Sequence, residues 1–160
     1  MKISKMSAAA AVCLFSLQIQ ADDYRVLDLK QNRITHKYPW FEVITDQTHW
    51  ERFYFEQLLG CNQFYPFLVD GNDPCTADAP LVDFETEQVV VGGPGAKPSS
   101  AYSIHVIDVD SSTDEQRITV LEYARCIGLA VITYPIEAVV VPRTDKPISL
   151  HVEQGAAVCE

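Results

Sequence analysis

Between Asp83 and Val152 the apolar residues either alternate one by one with polar ones or stand in short unbroken runs, with polar turns between the segments. A period of two marks a strand with one covered face, and a short unbroken run marks one covered on both. Gln88-Val-Val-Val91 is such a run and ends at Gly92-Gly-Pro-Gly95. Tyr102, Ile104 and Val106 alternate with Ser103 and His105. Asp108 to Gln116 reads as a polar turn, and Arg117–Tyr123 and Ala130–Tyr134 read as strands. Ile136–Val141 is apolar on both faces, as in a central strand. Ile148, Leu150 and Val152 alternate with Ser149, His151 and Glu153, as on a half-solvated edge. This spacing predicts a mainly β domain, an antiparallel β-sandwich or half-barrel.

Upstream, Tyr24–Leu29 and Phe41–Ile44 read as two further strands. One helix is predicted over roughly Asp46–Leu59, packed on the β domain. Thr45 or Thr48 is its expected cap, the latter forming a capping box with Glu51. Trp50, Phe53, Tyr54 and Leu58 recur at one-face helical spacing, and Gly60 follows as a stop. That aromatic stripe is expected to pack into the core. Residues 61–80 hold three prolines, two cysteines and several Asp and Asn, which predicts a loop.

The first 21 residues have the layout of a secretory signal. Lys2 and Lys5 precede the apolar stretch Met6–Leu17, and Ile19 and Ala21 stand at the cleavage positions. The expected mature chain is one domain over residues 22–160. It is exported, periplasmic or secreted, and has no membrane span. The full chain carries a formal charge of −10, and cleavage removes two lysines and no acid. Such a balance disfavours nucleic acid and anionic membranes, both polyanions, as partners. Five cysteines become four when Cys13 leaves. In an oxidising compartment an even number reads as disulfides. Of three possible pairings, Cys61–Cys75 and Cys126–Cys159 are favoured. The first closes a polar loop and the second ties down a tail of small residues. Zinc would require a Cys-x-x-Cys or His-x-x-x-His spacing that the chain lacks.

No sequence pattern for catalysis emerges. There is no Gly-x-Ser-x-Gly, no His-Glu-x-x-His and no phosphate loop. His105 and His151 fall on the polar faces of their strands, where pairing would bring them together as a weak metal or pH-sensitive site. Asp108-Val-Asp-Ser-Ser-Thr-Asp114 spaces its oxygen donors like the start of a calcium loop. It lacks the Gly and Glu that such a loop needs at its sixth and twelfth positions. Glu85 and Glu87 are a pair of carboxylates with no partner group identifiable from sequence. The expectation is a non-enzymatic chain without a cofactor or a metal.

Three stretches carry a family resemblance. They are Val82-Asp-Phe-Glu-Thr-Glu-Gln-Val-Val-Val91, Gly95-Ala-Lys-Pro-Ser-Ser-Ala-Tyr-Ser-Ile104, and Leu129–Pro142 with Thr133-Tyr-Pro-Ile136. Over about residues 83–152 they resemble the C-terminal domain of the protease-complex accessory-subunit (PrcB) family. The resemblance implies a protein-binding module that assists an exported protease complex. Lys97-Pro-Ser-Ser-Ala-Tyr102 is also similar to a loop of chagasin-type peptidase inhibitors, which are Ig-like β-sandwiches. The expected partner-binding loop is therefore Gly95, Lys97, Pro98, Ser99, Ser100 and Tyr102, with the proline stiffening it. Two alternatives stay open. One is direct peptidase inhibition by this loop. The other is a periplasmic small-molecule or metal-binding protein using the aromatic region 40–67 or the histidines.

Overall fold

Val89, Val90 and Val91 point to alternate faces of one strand, and all three are buried. A strand covered on both sides must be the middle of a layered structure. The computed structural model describes residues 24–29, 33–61, 75 and 78–159, and the expected signal segment lies outside them. The strands are β1 (Arg25–Leu27), β2 (Trp40–Ile44), β3 (Glu87–Gly93), β4 (Tyr102–Asp110), β5 (Gln116–Ala124), β6 (Glu137–Pro142) and β7 (Ile148–Gln154). They form a four-stranded sheet ordered β1-β6-β3-β2 and a three-stranded sheet ordered β4-β5-β7. The sheets do not close into a barrel. The four-stranded sheet has the helix on one face and the other sheet on the opposite face.

All pairs in the four-stranded sheet are antiparallel. β4 and β5 are also antiparallel, with a bulge at Ile107. β5 and β7 run parallel, so the expectation of an antiparallel structure fails at this one pair. The connection explains it. After β5 the chain crosses to the other sheet for β6, then returns to place β7 beside β5. Parallel neighbours require such a crossover. The reading of β6 as a central strand and of β7 as an edge matches the observed order. Asp108–Asp110 extend β4, so the polar turn is shorter than expected.

Two buried clusters divide the odd and even residues of β3 and β6. Val89, Val91, Ala138 and Val140 pack with Ile44, Trp50, Phe53 and Leu58 on the helix side. Val90, Val139 and Val141 pack with Ile104, Ile118 and Val120 between the sheets. Burying each valine stabilises the fold by about 1.5–3 kcal/mol before its ordering cost. At one end of the inter-sheet layer, Gln88 Nε2 donates to Gln116 Oε1 at 3.2 Å, and both side chains are buried.

The helix α1 (Gln47–Arg52) continues as a π-helical turn over Phe53–Leu58, close to the predicted span. Its cap is Asp46, whose carboxylate accepts from the His49 N–H at 2.8 Å, rather than Thr45 or Thr48. The π turn has a packing reason. Residues five apart on a regular α-helix are rotated by about 140° from one another. The wider i→i+5 turn, seen in Leu59 N–H donating to Tyr54 O at 3.1 Å, brings Phe53 and Leu58 onto one buried face. The aromatic stripe is thus core. Trp50 is fully buried and its indole N–H donates to Pro80 O at 2.9 Å.

Ala130–Tyr134 is not a strand. Only Thr133 makes a bridge, to Lys97, and Ala130, Val131 and Ile132 are exposed. Strand-forming residues do not make a strand without a neighbouring edge along their length. Both favoured cysteine pairs are at bonding distance, with Cα–Cα 5.7 Å for Cys61–Cys75 and 4.9 Å for Cys126–Cys159. No helix among the described residues is long and apolar enough to cross a membrane.

Candidate functional site

Gly95 opens the predicted loop. It is buried at φ +85°, a conformation that a side chain would strain. The next residue donates its N–H to Lys37 O at 3.2 Å. Lys97 then turns inward. Its backbone exchanges hydrogen bonds with Thr133 at 2.8 and 2.9 Å. Its ammonium pairs with Glu122 and lies 5.5 Å from the centre of the Tyr102 ring. The side chain of Glu122 is 6% exposed and that of Lys97 is 19% exposed, so this ion pair is largely dry. Gln154 Nε2 donates to the other Glu122 oxygen at 3.3 Å. Tyr102 begins β4, half-buried.

The hydroxyls of Ser99 and Ser100 serve the fold. Ser99 Oγ accepts from Ala101 N–H at 3.1 Å, and its carbonyl accepts from Thr133 Oγ1 at 2.9 Å. Ser100 exchanges two bonds with Leu129. Its N–H donates to Leu129 O at 3.0 Å, and its Oγ accepts from Leu129 N–H at 2.9 Å. Of the six predicted residues, Pro98 and Ser100 are the exposed ones.

These bonds join the loop to a second one, residues 126–133, that sequence reasoning did not single out. Cys126 anchors it through the disulfide to Cys159 and an N–H bond to Val158 O at 3.1 Å. On this frame Ile127 is 84% exposed and Leu129 74%, and Val131 and Ile132 are also exposed. Four large apolar side chains within residues 127–132 left in water on a hydrogen-bonded frame make this a candidate docking surface. The only sequence signal was the apolar run itself, which reads equally as a strand.

His105 and His151 do not meet. β5 lies between their strands, so two strand spacings, about 10 Å, separate them. His105 instead sits between Glu137 Oε1, 3.1 Å from Nδ1, and the Tyr123 hydroxyl, 3.0 Å from Nε2. Glu137 also accepts the Val106 N–H, which blunts the open edge of β4. His49 pairs with Glu42 at 2.8 Å, and the His36 ring lies tilted against Trp40 with centroids 4.6 Å apart. Glu87 is held by Arg25 at 3.0 Å.

In the acidic turn, Asp110 Oδ1 accepts from the Ser112 N–H at 2.8 Å. The Ser112 hydroxyl first and its N–H second hold the Asp110 carboxyl below the ordinary aspartate range. Among the described residues, no three His, Cys, Asp or Glu side chains gather in a metal-binding group. The chain matches no protein-family model, no curated protein and no solved structure.

Proposed function

We propose that this protein is an exported, non-enzymatic binding module that docks another protein on the double loop 95–102 and 126–133. The supporting observation is the exposed apolar group Ile127, Leu129, Val131 and Ile132, held by a disulfide and by the bonds from Ser99 and Ser100. A preorganised apolar surface loses little entropy on docking, and its burial supplies the driving force. The disulfide-distance pairs fit an oxidising, exported setting. In its narrower form the partner is a subunit of an exported protease complex, as the resemblance over residues 83–152 implies. Direct peptidase inhibition has less support, because the Lys97 ammonium and both serine hydroxyls already serve the fold.

The test is quantitative affinity capture from an extract of exported proteins, comparing the native chain with Ile127→Asp/Leu129→Asp. A discrete set of proteins lost by the double variant, with exported peptidases among them, is the expected result. Identical capture by both chains refutes docking at this surface. A set without peptidases refutes the narrower form alone.

A further inference from the structure

The inward rows of the two sheets part at the end opposite the Gln88–Gln116 pair. They leave a cavity of about 260 Å³. Its walls are apolar. Val90 and Val139 come from one sheet, and Ile104, Ile118 and Val120 from the other. On β3 the next inward position after Val90 is Gly92, where a Cβ would lie 2.6 Å from Trp40 O and 2.8 Å from Phe41 Cβ, so β3 sends no further side chain into this end of the layer. The cavity opens between the edge strands β2 and β7. There Phe41 and Val152 line it while staying 43% and 40% exposed. Apolar residues left wet at the mouth of an apolar cavity are what an entering apolar molecule would cover. An apolar cavity of about 150 Å³ stays dry and admits benzene, so this one has room for a single ring with a small substituent.

The polar end narrows the ligand class. Lys97, Glu122, Glu137 and Gln154 all face the cavity. Two carboxylates against one ammonium make this end net acidic, which disfavours an anionic head. A cation would compete with donors already in place. Glu122 has Lys97 and Gln154, and Glu137 has the Val106 N–H and His105. The Lys97 ammonium has three donors and directs one to Glu122, and the Gln154 amide also offers a carbonyl acceptor. A group able both to accept from Lys97 and to donate to Gln154 fits this pair. A neutral hydroxyl does both.

We infer that the inter-sheet cavity is a binding site for a small, uncharged apolar molecule bearing one hydroxyl group, of the size of a substituted phenol. The site shares Lys97 with the double loop, but Ile127, Leu129, Val131 and Ile132 do not line it, and it does not depend on their docking role.

The experiment uses the purified, oxidised protein and three probes: p-cresol, toluene and 4-methylbenzoate. Methyl and amide NMR shifts are followed during each titration. Saturable p-cresol shifts are expected at Val90, Ile104, Ile118, Val120 and Val139. Toluene should bind roughly 2- to 12-fold more weakly, the value of one net hydrogen bond, and 4-methylbenzoate should give no saturable shift at these residues. Val152→Trp, at the exposed mouth, should abolish the p-cresol shifts while the amide spectrum stays dispersed. Ile127→Asp/Leu129→Asp should leave them unchanged. Absence of saturable p-cresol shifts at the cavity residues overturns the site. Equal affinity for toluene, or binding of 4-methylbenzoate there, overturns the hydroxyl assignment.

Discussion

Asp46 and Lys97 are the residues whose surroundings most changed their reading. Thr48 and Glu51 have capping-box spacing, yet the cap sits two residues earlier, with Asp46 in extended backbone (φ −147°, ψ 154°) and its carboxylate on the His49 N–H. Asp46→Ala should therefore cost about 1 kcal/mol in urea unfolding, and Thr48→Ala should cost a few tenths at most. The reverse order would restore the capping box. Lys97 lies in a stretch that reads as a solvent-facing turn, but its ammonium belongs to the Glu122 ion pair. Removing one member strands a buried charge. Lys97→Met should destabilise the fold by about 3–5 kcal/mol, and Lys97→Met/Glu122→Leu should recover most of it. Chemical denaturation of the three proteins separates this from a surface lysine, for which the single change would be near neutral.

Strand and helix types were legible where one residue pattern had one physical outcome. Ile148, Leu150 and Val152 alternate with polar residues because β7 turns them toward the inter-sheet layer, Ile148 and Leu150 onto its cluster and Val152 onto the cavity. The run from Ala138 to Val141 is continuous because β6 is covered on both. The segment 130–134 has strand-like residues but bridges Lys97 at Thr133 alone, where the Thr133 hydroxyl also donates to Ser99 O. Its sequence could not reveal that no strand edge runs beside it. The double loop depends on Cys126–Cys159, whose sequence separation is 33. Chain entropy for a loop of that size corresponds to roughly 3–4 kcal/mol. Cys126→Ala/Cys159→Ala should lose about that much or less by thermal unfolding. Limited proteolysis should then cut within 126–132, which stays intact in the oxidised protein. Unchanged cleavage would mean that the bonds to Ser99 and Ser100 hold the loop by themselves.

The layered arrangement sets how stability is distributed over the molecule. β3 and β6 are shared by both buried clusters, so opening either strand disrupts helix packing and sheet packing together. β1, β2, β4 and β7 are edge strands, each paired on one side. Native-state hydrogen exchange should find the Val89–Val91 and Val139–Val141 amides opening only with the global unfolding free energy, and the β7 amides opening at lower cost. Equal protection across both sheets would show that the three layers unfold as one unit. The Gln88–Gln116 bond spans the two sheets at one end, and the cavity opens at the other. A binding site therefore sits where the inter-sheet core thins out.

Covered faces leave a period, and Gly60 at φ +70° ends the helix, because each of these follows from local chemistry. By itself the chain thus determined a mainly β domain, its central and edge strands and its one helix, and it favoured the two cysteine pairs that the structure holds at bonding distance. Only the tertiary structure decided that β7 runs parallel to β5, that Lys97 turns inward, that Ile127 and Leu129 stand in water, and that a cavity opens beside Phe41 and Val152. Each of these depends on which distant segment arrives alongside, and an apolar residue has the same identity whether or not a neighbour covers it.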